Sequence, residues 1–325
     1  MEQTITDKVA VITGASSGIG EATAYALAKK GFNLVLAARR NDVLEDVAKK
    51  CRKEGIQAIA IKTDTSKADD VARLSEKAIN TFGHYDVWVN NASNIMYGRF
   101  LDIKDEEFRQ LIETNLFGYV AGARAALQQF QNQGHGTLIN VASAYGGVAA
   151  PYSSAYVASK FAVRGLGSAL RQELIADRQH NIHVCTVMPG TVDTPIYQNA
   201  ANRMERAVKA MPPVFSPERV AGVIVSLTEH PKPEVSVGRS MRVPMILFNL
   251  SPRLFEAGFS KYVAKFNYQD QPSVPGSGNL FKPSDNASMR GGWAMKRSLK
   301  FVGFGVVITA TTVIMAILKG SKGRK

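Results

Sequence analysis

The chain has 325 residues, long enough to bury a sizeable core, and its 45% hydrophobic and 21% charged content excludes a disordered or fibrous protein. Its net charge of +13 would suit a nucleic-acid binder, but residues 286–325 carry eight Lys or Arg and no acid, so that 13 less 8 leaves +5 for residues 1–285. The basicity belongs to the tail and points to a membrane surface, not to nucleic acid.

Along the first 240 residues, short apolar runs alternate with helical patterns. Strands are predicted at Lys8–Thr13, Asn33–Ala37, Gln57–Thr63, Asp86–Asn90, Gly136–Ala142 and Ile182–Met188. Helices are predicted at Glu45–Lys53, Ala68–Phe82, Phe108–Gln131 and Ala155–Gln179. This alternation predicts an α/β fold, a doubly wound parallel sheet with helices on both faces, because parallel strands need crossover connections. Ligands of such sheets bind beyond the carboxyl ends of the strands, so each strand-to-helix turn is a candidate site.

The first such turn reads Thr13-Gly14-Ala15-Ser16-Ser17-Gly18-Ile19-Gly20 and opens a helix near Gly18. Glycines allow a tight turn and a close approach of pyrophosphate, and the helix N-terminus supplies free amide donors and a favourable dipole. The second strand ends in Leu36-Ala37-Ala38-Arg39-Arg40. An acid there would hydrogen-bond the adenosine ribose; two guanidiniums suit a 2′-phosphate, so NADP is expected over NAD. Farther on, Tyr156 and Lys160 lie four residues apart and share one helix face. A phenol is a poor base at neutral pH, but a neighbouring ammonium favours phenolate, so this pair suits proton transfer to or from an alcohol oxygen.

These motifs, in the spacing TGxxxGxG and YxxxK, closely resemble the short-chain dehydrogenase/reductase family over roughly residues 5 to 240. The resemblance implies a Rossmann-type sheet of strand order 3-2-1-4-5-6-7 and a catalytic tetrad of Asn115, Ser143, Tyr156 and Lys160. In that tetrad Ser143 would hold the substrate oxygen, Lys160 the nicotinamide ribose, and Asn115 a water leading to Lys160. The resemblance further assigns adenine contact to Asp64. It also matches Asn90-Asn91-Ala92-Ser93 to the family's NNAG motif, with Ser93 in place of Gly, and places Asn91 and Ala92 against the cofactor. Pro189-Gly190-Thr191-Val192-Asp193-Thr194 matches PGxxxT, where Pro189, Gly190, Val192 and Thr194 would contact the nicotinamide carboxamide.

Residues 196–217 stand where the family carries a variable substrate loop; an apolar pocket under a basic rim and an amphipathic helix fit equally, with Tyr97, Phe100 and Tyr152 as further pocket wall. Residues 241–266 read as an amphipathic helical extension that closes the core, forms a subunit interface or lies on lipid. Residues 267–296, rich in Pro, Gly and Ser, read as a flexible linker. Residues 297–325 read as a membrane anchor: Phe301–Leu318 is uncharged, about 27 Å long as a helix, and flanked by basic residues. Met1 opens a polar stretch, so no signal peptide is expected and the catalytic domain is expected to face the cytoplasm. Cys51 and Cys185 share no metal-like spacing and read as buried thiols, and the histidines form no cluster with carboxylates, so no metal site is expected.

The expected function is therefore hydride transfer between NADP(H) and a small, apolar alcohol or carbonyl substrate. The alternatives are a catalytically idle dinucleotide-binding scaffold, or an isomerase, epimerase or dehydratase on the same fold. Homo-oligomerisation is left open.

Overall fold

Strands β1 (Val9–Thr13), β2 (Asn33–Ala38), β4 (Val87–Asn90) and β5 (Gly136–Val141) are buried at every residue, so both faces of their sheet must be covered. The computed structural model describes residues 7–238 and 242–293 and meets that requirement with helices on each side. The sheet is completed by β3 (Ala58–Lys62), β6 (Ile182–Pro189) and β7 (Glu234–Val237), all parallel. Counting only these strands, neighbours run β3-β2-β1-β4-β5-β6-β7. The chain reverses its direction of travel across the sheet between β1 and β4, which opens a crevice beyond their carboxyl ends.

One face packs on α1 (Gly18–Ala28), α2 (Asn41–Arg52) and α7 (Pro217–Glu229), through residues such as Leu27, Leu44, Val47 and Ile224. The other packs on α3 (Ala68–Phe82), α5 (Gly118–Gln133) and α6 (Ser154–Ala176), through Leu74, Phe130 and Leu174 around Tyr85 and Trp88. Cys51 and Cys185 are free and buried in the first layer, and burial pushes their thiols up to about 12 and about 11. Among the described residues no His, Cys, Asp and Glu group could hold a metal ion.

In detail the architecture departs from the sequence-based expectation. The strand β7, the seventh that the resemblance implies, carries no strong apolar run, being half-buried at three of its four positions, and so is not marked by the apolar pattern of the sequence. Three short ladders stand beside the main sheet: Met96–Tyr97 with Ala201–Asn202, Thr191–Val192 with Val214–Phe215, and Arg206–Val208 with Tyr268–Pro272. The 196–217 region is therefore extended and not a helix. The single helix expected over Phe108–Gln131 is two, α4 (Asp105–Ile112) and α5, joined by a π-turn at Glu113–Phe117 that inserts one extra residue and turns Asn115 inward. The extension is likewise two helices, α8 (Arg242–Leu250) and α9 (Pro252–Phe266), broken where Pro252 takes the first helical position.

The largest correction concerns residues 267–293, expected as a flexible linker. They are docked on the catalytic domain: Tyr268 and Leu280 are buried, and Ser277 Oγ donates to the buried carboxylate of Glu107 at 2.7 Å. Composition misleads here because the segment is held chiefly through main-chain carbonyls, which leave no apolar signature in a sequence. Among the described residues no helix is long and apolar enough to cross a membrane. The expected span at 301–318 lies outside the described residues.

Candidate active site

The crevice is held open by the hydrogen-bond chemistry of one threonine. Thr13 Oγ1, at the end of β1, donates to Val89 O at 3.2 Å and accepts from the amides of Asn91 at 2.9 Å and Ala92 at 3.2 Å. The Asn91 side chain returns the contact, donating to Thr13 O at 3.0 Å and Gly14 O at 3.3 Å. The glycine turn is thus clamped to the end of β4 with almost no space between. Gly14 has φ +67°, and a Cβ on Gly20 would sit 2.2 Å from Gly14 O, so neither position admits a side chain. Gly20 therefore packs the turn and does not line the cleft. Ser17, the residue before α1, makes no side-chain cap to the helix amides.

Along this cleft, with about 1250 Å³ of open space including its mouth, lie Ser16, Ser17, Gly18 and Ile19 of the glycine turn, then Arg39, Arg40 and Asp64 beyond β2 and β3. Asn91 and Ala92 follow β4, Ser143 follows β5, Tyr156 and Lys160 come from α6, and Pro189, Gly190, Val192 and Thr194 follow β6. Its course, from the glycine turn past Arg39 and Arg40 to Tyr156 and Thr194, suits an elongated ligand such as a dinucleotide. Ser93 Oγ and Asn94 Nδ2, also in this wall, are buried without a hydrogen-bond partner among the described residues, and so offer polar atoms to a bound ligand.

At the deep end, Tyr156 and Lys160 are both buried on one face of α6. The ammonium sits 5.6 Å from the Tyr156 ring centre, donates to Val141 O at 3.0 Å and lies 3.4 Å from Tyr119 Oη. Burial pushes the Tyr156 phenol up to about 12, against a hydrogen bond with Ser143 that pulls it down. Burial alone pushes the Lys160 ammonium down to about 7. Desolvation is the largest effect on both groups.

Asn115 does not line the cleft. Its side chain accepts from Asn94 N at 2.8 Å, donates to Asn94 O at 2.8 Å and to Ser159 Oγ at 3.2 Å, and Ser159 in turn donates to Tyr156 O at 2.7 Å. It ties the loop after β4 to the backbone of Tyr156.

On the substrate side, Ile196 and Tyr197 line the cleft as expected of that loop. Phe100 does not; it is 67% exposed. Sequence reasoning missed an aromatic train in which Tyr145 meets Tyr156 at 6.3 Å and Phe259 of α9 at 6.5 Å, edge to face. The helical repeat of aromatics on α9 was its only signal. Also missed were Asn279, Pro283 and Ser284, which line the far side of the cleft. With them comes a correction for the arginines. Arg39 donates to Leu280 O and Asn279 O at 3.1 and 2.7 Å, and Arg40 to Ser284 O and Asn286 O at 2.6 and 2.9 Å. Both guanidiniums thus already hold main-chain oxygens.

Residues 8–205 match the family model described as short chain dehydrogenase. An uncharacterized oxidoreductase of Bacillus subtilis, YxnA, is 36% identical over 273 residues, covering 83% of this chain and 76% of that protein. An uncharacterized oxidoreductase of Staphylococcus saprophyticus is 42% identical over 201 residues, 61% of this chain and 80% of its own. Among solved structures, an alcohol dehydrogenase from Thermococcus sibiricus complexed with 5-hydroxy-NADP superposes with a TM-score of 0.61 at 33% identity, covering 70% of this chain and 95% of that one. A short-chain type dehydrogenase/reductase from Mycobacterium marinum gives 0.64 at 28% identity, covering 73% and 96%. The clamped glycine turn, the parallel sheet and these likenesses agree: the chain is an oxidoreductase that belongs to the short-chain dehydrogenase family.

Proposed function

We propose that this oxidoreductase moves a hydride between NADP(H) and a lipophilic alcohol or its carbonyl counterpart, with Tyr156 transferring the proton. The observation that carries the reading is the buried Tyr156–Lys160 face of α6, with Ser143 hydrogen-bonded to Tyr156, at the end of a cleft that begins at an uncapped helix N-terminus. When bound there, the cofactor supplies the hydride donor or acceptor. The chain's own residues do the rest. Ser143 orients the substrate oxygen toward the Tyr156 hydroxyl. With its phenol held near 12, Tyr156 is protonated at neutral pH and suited to donate to a developing alkoxide in reduction. Lys160 would hold a ribose hydroxyl of the cofactor and, when protonated, would ease loss of the Tyr156 proton in oxidation. Asn115 is a positioning residue, acting through Ser159 on Tyr156. The apolar substrate class is supported by Ile196, Tyr197 and the Tyr145–Phe259 wall. The preference for NADP is supported by Arg39 and Arg40 in the cleft, with no acid ending β2, and by the NADP analogue in the Thermococcus enzyme. We further propose that residues 301–318 anchor the protein in a membrane, with the catalytic domain on the cytoplasmic side.

Tyr156→Phe removes only the hydroxyl, so turnover of a carbonyl panel is expected to fall roughly 10²- to 10⁴-fold with cofactor affinity kept; more than half of wild-type turnover would take Tyr156 out of the mechanism. Replacing Arg39 and Arg40 with Ala is expected to weaken NADPH binding far more than NADH binding. Contacts to residues 279–286 are lost for both cofactors, so the difference between the two affinities reports the 2′-phosphate, and equal losses would refute the preference.

Lys160 titrates near 7 when folded and near 10.5 when not, so between these values the unfolded chain binds the extra proton and stability rises with pH. Below about pH 7 the buried ammonium bears its full burial cost. Lys160→Met is expected to raise the thermal midpoint more at pH 6 than at pH 10; equal shifts would contradict a lysine neutralised by burial. The anchor is tested by alkaline carbonate extraction of membranes, in which full-length protein is expected to stay with lipid and Ile308→Arg to be released, since a central charge opposes insertion by about 2.5–3.5 kcal/mol. Release of both would remove the span.

A further inference from the structure

Residues 276–293 run the length of the cleft. At the adenosine end their carbonyls hold Arg39 and Arg40; at the glycine turn the Gly18 amide donates to Ser288 O at 3.3 Å. At the opposite end the Trp293 amide donates to the buried carboxylate of Asp193 at 2.7 Å, and its indole to Thr194 O at 3.2 Å and Gln198 Oε1 at 3.1 Å. We infer that this segment is a gate over the dinucleotide cleft, a strap that lifts for cofactor to enter or leave and closes along its length. The inference rests on the reading of the cleft as a dinucleotide site. It lies outside the part of the chain that the family model matches, residues 8–205.

Three features make the strap a moving part and not a fixed wall. First, it buries little. From Ser273 to Trp293, Leu280 is the one residue fully buried, and the segment is held mainly by hydrogen bonds, Gly276 exchanging a pair with Asn202 and the Asn279 amide donating to Asn199 O at 3.0 Å. A segment with so little buried apolar surface opens far more readily than the sheet beneath it. Secondly, a ligand reaching from Arg39 to Thr194 lies under contacts at both of its ends, so its escape requires that the strap release. Thirdly, the strap's carbonyl oxygens hold donors that suit phosphate: two guanidiniums and an amide at a helix N-terminus. A charged phosphate oxygen is a stronger partner for those donors than a neutral carbonyl, so an entering dinucleotide can displace the strap from them. The remaining anchors, among them Leu280, Ser277, Trp293 and the Gly276–Asn202 pair, hold the strap near and allow it to close again.

The test uses the full chain and two variants, Leu280→Ala and Trp293→Ala, chosen because neither side chain lines the cleft. Equilibrium titration with NADPH and NADH comes first, followed by stopped-flow association and displacement of NADPH by nicotinamide fluorescence. Loosening a gate raises both rate constants, here expected by about tenfold, with a smaller change in affinity. If dissociation alone quickens, or neither rate changes, the strap is a fixed wall and the inference falls. Hydrogen–deuterium exchange on the unaltered chain gives a reading that needs no variant. Amides of 276–293 are expected to exchange faster than those of β1 and β4, and to slow when NADPH is bound. Exchange as slow as the sheet, or unaffected by NADPH, overturns the gate. A chain that binds neither dinucleotide in the titration overturns the cofactor reading itself, an outcome distinct from binding with unaltered rates.

Discussion

The cleft depends on the Thr13 hydroxyl, which joins two strand ends that no main-chain ladder joins at that height. β1 and β4 pair only as far as Ile12 and Val89. Beyond that register the two chains diverge toward opposite halves of the sheet, and their exposed polar groups would spread apart without a cross-link. One hydroxyl with a donor and two acceptor lone pairs fills that gap, bonding Val89 O and the amides of Asn91 and Ala92. Each such bond contributes only about 1 kcal/mol net, but an unmade one would strand a buried backbone group, which costs more. The consequence is geometric: the glycine turn is fixed against Asn91 and Ala92, and the N-terminus of α1 is aimed into the cleft.

A second constraint comes from putting a lysine where water cannot reach it. Lys160 falls from 10.5 to about 7, which at about 1.4 kcal/mol per pH unit means that holding the ammonium there costs on the order of 5 kcal/mol. That rivals the whole stability of many domains. Such a residue persists where the fold supplies fixed acceptors, here Val141 O and Tyr119 Oη, and where the charge has work to do. The same low dielectric that raises Tyr156 also strengthens any interaction between phenolate and a nearby positive charge. Burial thus sets a resting state with a protonated phenol, and makes that state sensitive to whatever charge is bound beside it.

What was legible in the sequence follows from range. The glycine turn and the Tyr156–Lys160 face are local patterns, set by spacing along one turn or one helix, and residues chosen on spacing converge on one cleft. Six of the seven strands of the main sheet follow from their apolar runs to within one or two residues, and β7, which has no such run, does not. The π-turn at Glu113–Phe117 was missed because one inserted residue leaves the periodicity on either side intact. The pairing of Arg203 with buried Glu107 was missed because 96 residues separate them. That pair also shows tertiary context outweighing desolvation: burial raises the Glu107 carboxyl, yet hydrogen bonds from Arg203 and Ser277 bring it below the usual range. The strap was misread for a third reason, its bonds being made by backbone carbonyls that every residue carries.

These missed contacts share a physical logic that ties the outer segments to the site. Glu107 accepts from Arg203 of the substrate loop and from Ser277 of the strap, so one buried carboxylate anchors both coverings of the cleft. The carboxylate cannot be left unpaired at that depth without a large penalty, so a rearrangement that pulls Ser277 away strengthens its dependence on Arg203, and the reverse. The two coverings are in this sense coupled through a single acceptor. Tyr197 of that loop meets Trp293 at 5.9 Å, edge to face, a further junction between the same two segments beside the Trp293–Gln198 hydrogen bond. Movement of the strap therefore has a mechanical route to residues 196–217, through polar contacts at Glu107, Gln198, Asn199 and Asn202 and one aromatic contact, with none of them passing through Tyr156 or Lys160.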